Sequence, residues 1–538
     1  MDYRFFKIRL PIFLRVLFFL ALFFSSSISF ASSSSTSSDE LLIHEIHIDL
    51  DLTRRLITGS DRITFPYSPR GAGSIVIYVG SGVYIDRIES EPWSGRDIAF
   101  ASVELPEVGL KKIAVSADAT SELASFTLTV FFSANFKGIE SARKNIMRGV
   151  SYVSEAVMGE EGAFLPASSY WYPMVGDRPS VFDVEIKMPE GFTAVMEGTP
   201  VSNGVSSGKS VSRWRTTRPT SGVNIVVSRF TVEKELYKGI DIYTYFLKPD
   251  KELSNTYIVS TKRYIDLYEG LLPPYPYEKF AVVESFLPTG YGMPSFTLLG
   301  SRVLRLPFIP STSLGHEFVH NWWGNSVFVD PKYGNWSEAL AAYTADHLFK
   351  EMEGEGRDYR MRSMVEFASY GAGDNVSLMD FRSETTSAAR VVGYNKGAMV
   401  FHMLRRTIGD DLFYEGLRDF YERYKFKFAT WADLQTSFER VSGKELKWFF
   451  GQWLSFSAAP RITRDSAFAG IELKKVKEGY KVSFDFVQPK DHYLLNLPVY
   501  FKTKDGGELK MEMIVKRKQR IEAVLSTRPE YVEIDPET

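Results

Sequence analysis

Residues 316–320, His-Glu-Phe-Val-His, decide how the rest of the chain is read. On a helix, positions i and i+4 project from nearly the same face, so His316 and His320 can grip one metal ion together. Glu317, one step round the helix, is placed to act as a general base toward a water activated at that metal. Ser313 offers a helix start. Downstream, Asn335-Trp336-Ser337-Glu338-Ala339-Leu340-Ala341-Ala342-Tyr343 reads as the start of a second helix, which makes Glu338 the natural third ligand. Two imidazoles and one carboxylate give a zinc(II) site of net charge about +1 with one open position. The expectation is about one zinc ion per chain; cobalt or manganese could fill the same donor set in vitro.

The composition is that of a folded protein, with 44% apolar and 24% charged residues, and 538 residues are too many for one core. A formal charge of −2 and the absence of any basic tract argue against nucleic acid as a partner. There is no cysteine, hence no disulfide and no thiolate ligand. Arg4, Lys7, Arg9 and Arg15 precede an apolar run from Val16 to Phe24, and Ser29-Phe30-Ala31 offers a cleavage site. Residues 1–31 therefore read as a signal peptide, with an uncleaved anchor as the alternative. Export to a bacterial periplasm or exterior follows, with no stable membrane span after cleavage. Residues 32–39 are a flexible Ser-rich leader.

Residues 40–232 carry strand patterns. Ile46, Ile48, Leu50 and Leu52 alternate with His47, Asp49 and Asp51, and similar runs recur at SIVIYVG, SFTLTVFF and VFDVEIKM. Residues 233–457 open with GIDIYTYFL and then become helical. Thr430 and Asp433 predict a capping box, with Leu434, Phe438 and Val441 on one helix face and Gly443 as the stop. Residues 458–538 return to alternation in YKVSFDF, LKMEMIV and YVEID. His44 and His47 cannot share a metal, because residues three apart on a strand face opposite sides. His347, with Asp346 as an outer partner, falls near the second helix, though packing or surface roles fit both better. His402 and His492 have no ligand-like neighbours.

The segment HEFVHNWWGN followed by NWSEALAAY resembles the aminopeptidase N family of zinc metallopeptidases, which includes leukotriene-hydrolase-like members. The family places a Glu on the helix after His-Glu-x-x-His; here the gap from the second His is one residue shorter than usual. Gly393-Tyr394-Asn395-Lys396-Gly397-Ala398 resembles the family's Tyr-x-Lys-Gly-Ala segment, which implies that Tyr394 stabilises the oxyanion. Tyr172-Pro173 through Asp183, MPEGFTAVMEGTPV, Asp410 to Pro460 and the final VEIDPE extend the resemblance. The implied fold is multidomain α+β. It comprises an N-terminal antiparallel β-domain, a thermolysin-like and mostly helical zinc catalytic domain, and a small C-terminal β-sandwich. The implied activity is hydrolysis of peptide bonds in peptides or unfolded chains, with Glu317 and Tyr394 as catalytic residues and His316, His320 and Glu338 as metal ligands.

One segment departs from the family. The Gly-x-Met-Glu-Asn strand that anchors a substrate's free amine corresponds here to Tyr291-Gly292-Met293-Pro294-Ser295, so Pro294 replaces the carboxylate. The second family carboxylate aligns with Leu165. Glu155, Glu160 or Glu161 could substitute, although an ordinary solvated acidic face is the simpler reading. Gly292, Met293, Pro294 and Ser295 remain the expected substrate-binding segment, as an edge strand that pairs with an extended peptide. The sequence leaves open an aminopeptidase, an endopeptidase or oligopeptidase with no need of a free amino terminus, a hydrolase of a small non-peptide substrate, and a non-catalytic peptide-binding protein. It gives no oligomeric state.

Overall fold

The computed structural model describes residues 41–66, 75–91, 98–115, 126–147, 155–371, 376–460, 462–488 and 493–536. The expected signal peptide, the Ser-rich leader and His492 lie outside them. Among the described residues, no helix is long and apolar enough to cross a membrane.

The alternating run at the start of the chain forms strand Leu42–Asp51, which buries Leu42, Ile46, Ile48 and Leu50 on one face. It lies inside a seven-stranded sheet, antiparallel to Leu56–Phe65 and parallel to Ser180–Pro189. The parallel pair needs a long crossover, and most of the N-terminal β-structure lies in the chain between those two strands. A five-stranded and a three-stranded sheet complete the N-terminal β-region. His44 turns inward and bonds Asp61 (Nδ1–Oδ2 2.7 Å), whereas the His47 side chain is 60% exposed, so the two are on opposite faces as expected.

A second five-stranded sheet joins this region to the helices. Its order is Thr231–Tyr237, Ile240–Phe246, Lys279–Ser285, Phe296–Gly300 and Gly290–Met293, and the last of these is an edge strand. One face of the sheet, with Tyr243, Ala281, Val283, Tyr291, Met293 and Leu298, packs into the N-terminal core. The other, with Ile242, Phe280, Val282 and Leu299, packs into the helical core. Burial on both sides explains why Lys279–Ser285 has no exposed residue at all.

The capping box at Thr430 and Asp433 forms, and helix Trp431–Ser442 ends at Gly443 in the left-handed conformation. At the C-terminal end, two three-stranded antiparallel sheets face each other, with Val482, Phe484, Val499 and Phe501 buried between them.

Candidate metal centre and peptide-binding edge

The motif forms helix Ser313–Val319, with His320 closing its last turn. Phe318 anchors the buried side, stacking on Tyr275 at 5.2 Å between ring centroids and on Tyr268 at 6.0 Å. The opposite face carries His316, Glu317 and His320, all buried. Glu338 comes from helix Trp336–Ala341, whose N-cap Asn335 accepts a hydrogen bond from the Ser337 N–H.

These elements bring His316, His320 and Glu338 together. The two histidine Nε2 atoms are 3.3 Å apart, and each is 3.5 Å from Glu338 Oε2. Ligands about 2.0–2.1 Å from a tetrahedral zinc ion lie roughly 3.3–3.4 Å from one another, so the triangle has the size zinc requires. The ring orientations agree. His320 Nδ1 is 2.8 Å from the Trp323 carbonyl, which can only accept, so Nδ1 carries the proton and Nε2 keeps its lone pair for a metal. His316 Nδ1 is 3.0 Å from Asp346 Oδ2. Burial opposes the charge on Glu338, but the two imidazoles when protonated outweigh it and hold the carboxyl down at about 2, so this ligand is anionic. The donor set fits zinc, and the loop shortened by one residue still delivers Glu338.

Glu317 lies beside this triangle. Burial pushes its carboxyl up to about 7, partly offset by the histidines, and its Oε1 is buried without a hydrogen-bond partner. Tyr394 lies half-buried close by, its ring 6.1 Å from that of His316 and 21° from parallel. Burial, then the charges of Glu338 and Glu384, raise the phenol well above its usual range, so it stays a neutral donor.

Two local irregularities set these positions. Asp346 and Tyr394 both sit in π-helical turns, Ala342–His347 and Val391–Lys396. Such turns slip the register of a helix and often occur at functional sites. Gly397 follows directly; a Cβ there would lie 2.4 Å from the Ala339 Cβ, so glycine lets the two helices close up. Lys396 donates to the Phe456 carbonyl.

Gly292, Met293, Pro294 and Ser295 lie at the free edge of the second sheet, against the motif helix. A Cβ on Gly292 would stand 2.4 Å from Glu317 Oε2. Pro294 and Ser295 form the corner into Phe296–Gly300, with Ser295 at φ +67°, as a type II turn requires. The Ser295 N–H donates to Asn321 Oδ1 (2.8 Å), and buried Lys279 donates to Ser295 Oγ (2.8 Å) and to its carbonyl (3.2 Å). Asn321 directly follows His320, so the edge strand is tied to the metal helix. Burial lowers Lys279 to about 7.

The other candidates separate cleanly. Glu155 pairs with Lys137 at 2.8 Å and Glu161 with Arg143 at 2.5 Å, and Glu160 is exposed, in keeping with a solvated acidic face. His347 is buried, accepts from Arg360 at 2.9 Å and stacks on Tyr343, which is packing. His402 lies 3.3 Å from the Tyr343 hydroxyl. Asp346 differs from expectation: its residue pattern favours a surface or packing role, yet it bonds His316. The π turn that aims it leaves no mark in the pattern of residues. Nothing in the sequence points to Asn321 or Lys279 either, although Asn321 adjoins the motif.

A metal triangle on two successive α-helices, with a buried glutamate beside it and a sheet edge alongside, offers the donor set and layout that a zinc metallopeptidase requires. Residues 311–453 match the Peptidase family M1 domain. Aminopeptidase N of Lactococcus lactis is 22% identical over 162 residues, 28% of this chain and 19% of that protein. Glutamyl aminopeptidase of Rattus norvegicus is 26% identical over 316 residues, 53% of this chain and 32% of that protein. The chain thus spans between 19% and 32% of the length of these two relatives. The M1 zinc metallopeptidase of Deinococcus radiodurans, solved as a variant bound to a Tyr-Ser-Ala substrate, shares the fold. Its TM-score is 0.62 at 15% identity, over 78% of this chain and 95% of that one. The matched stretch, residues 311–453, contains His316, Glu317, His320, Glu338 and Tyr394.

Proposed function

We propose that this protein is an exported zinc-dependent peptidase of the aminopeptidase N type, acting on peptides or unfolded chains. The observation that carries the reading is the 3.3–3.5 Å triangle of His316, His320 and Glu338 with the unpartnered Glu317 carboxylate oxygen beside it. A zinc ion held there supplies Lewis acidity, which makes a water more acidic and a carbonyl more electrophilic. The edge strand Gly290–Met293 aligns an extended peptide by backbone pairing, and Gly292 lets that peptide approach Glu317. Glu317 takes the proton from the attacking water and returns it to the leaving amine, as a carboxylate beside the reacting atoms can. Tyr394 donates its hydroxyl hydrogen to the carbonyl oxygen as negative charge develops on it. A passive peptide binder has no need of such a base.

Pro294 at the amine-anchor position favours a second reading, peptide cleavage without a strict demand for a free amino terminus. Rates on one peptide and its N-acetylated form separate the two: cleavage of the free-amine form alone identifies an aminopeptidase, equal cleavage an endopeptidase. Cleavage of neither removes the peptidase reading and favours a small non-peptide substrate. For export, the support is the basic and apolar stretch ending near Ala31. Appearance of the protein in a periplasmic fraction, shortened at that point, is the test.

A further inference from the structure

Where a peptide brought to this edge strand carries positive charge, it does so on its α-amine or on a basic side chain. Pro294 cannot pair with it, Leu165 cannot, and Glu155 and Glu161 are tied to Lys137 and Arg143. Other acids do act on the site, namely Glu317, Glu338, Asp346 and Glu384. The first three have work already: proton transfer, metal ligation and orientation of His316.

Glu384 differs from them. Its side chain is 17% exposed, and its Oε2 is buried without a hydrogen-bond partner. The nearest cation is the Arg390 Nε at 3.6 Å, beyond good hydrogen-bonding range, on a side chain that is itself 46% exposed. The segment before Glu384 is fixed to the site. The Asn335 N–H donates to the Phe381 carbonyl at 2.8 Å, its side-chain amide donates to the Arg382 carbonyl at 3.3 Å, and Asn335 caps the helix that bears Glu338. The Phe381 ring packs edge-on against Tyr394 at 6.3 Å. Burial raises the Glu384 carboxyl to about 7, Arg390 offsetting part of the rise and Glu338 adding to it, so a cation beside it favours its ionised form; when ionised it acts in turn on Tyr394. A half-shielded carboxylate with an unclaimed oxygen, held beside the oxyanion donor, suits a charge-assisted hydrogen bond from a cationic nitrogen.

We propose that Glu384 receives the positively charged nitrogen of a peptide substrate, in place of the carboxylate absent at Pro294. The proposal rests on the peptidase reading above. Its test is peptide binding to the zinc-loaded Glu317→Gln protein, with and without an added Glu384→Gln. Three peptides are compared: one with a free amine and neutral side chains, its N-acetylated form, and an N-acetylated form beginning with lysine. Glu384→Gln is expected to raise Kd about 10-fold or more for a cationic peptide and to leave the neutral one within about twofold. A loss confined to the free-amine peptide assigns Glu384 to the α-amine; one confined to the lysine peptide assigns it to a basic side chain. Equal loss on all three, or no loss, overturns the proposal. A second variant, Arg390→Gln, removes the competing cation and should tighten the cationic peptide; unchanged or weaker binding would also overturn it. If none of the three binds the Glu317→Gln protein, the peptidase reading itself falls and takes this proposal with it.

Discussion

Asp346 gives the sharpest perturbation of the metal centre that leaves every ligand in place. Its Oδ2 lies 3.0 Å from His316 Nδ1 and turns the other ring nitrogen toward the shared point between His320 and Glu338. A hydrogen bond to a charged group is worth about 1.5–3 kcal/mol. The Asp346 side chain is 34% exposed, so solvent screening brings that to roughly 1–2 kcal/mol. Loss of such a partner should weaken zinc binding about 10-fold, within the 10- to 100-fold range typical for outer partners of metal-binding histidines. Asp346→Asn keeps an acceptor oxygen without the charge and should lose less than Asp346→Ala. The assay is competition for zinc against a chelator of known affinity, with a thermal melt of each apo-protein alongside. If Asp346→Ala holds zinc as tightly as the parent while its fold is intact, the hydrogen bond does not orient His316 and the reasoning fails.

Other perturbations reach the remaining parts of the site. Tyr394→Phe should keep zinc and lower kcat by about 10²- to 10³-fold, as loss of an oxyanion donor does; steady-state kinetics with a metal assay checks this. Gly292→Ala places a methyl 2.4 Å from Glu317 Oε2, so peptide cleavage should fall while the melting temperature moves little. Gly397→Val should lower the melting temperature and activity together, because the side chain would drive the Tyr394 and Glu338 helices apart. Lys279 is lowered by burial from 10.5 to about 7, so between those values the unfolded chain binds a proton that the folded chain does not. Its contribution to stability therefore rises with pH across that window, and Lys279→Met should flatten the rise in melting temperature from pH 7 to 10.

The zinc triangle is legible in the sequence because its chemistry is local. His316, Glu317 and His320 occupy one helical turn, and the helix start at Asn335-Trp336 locates Glu338 from residue types alone. The strand alternation at Ile46 to Leu52 and the capping box at Thr430 are legible for the same reason, since period and cap chemistry act over a few residues. Asp346 and Glu384 are not. Asp346 reaches His316 through a π turn, which depends on how Ala342–His347 packs rather than on any residue type within it. Glu384 acquires its place from the pinning of Phe381 and Arg382 to Asn335, a contact between segments far apart in the chain. Lys279 looks in sequence like a surface strand lysine; only the packing of its sheet between two cores buries it.

The most direct test of water activation at this site compares zinc-loaded parent and Glu317→Gln proteins on a peptide that the parent cleaves. Both should hold about one zinc ion per chain, and the cleavage rate of the variant should fall by about 10³-fold. Undiminished cleavage by Glu317→Gln, or by parent protein stripped of metal, would contradict it.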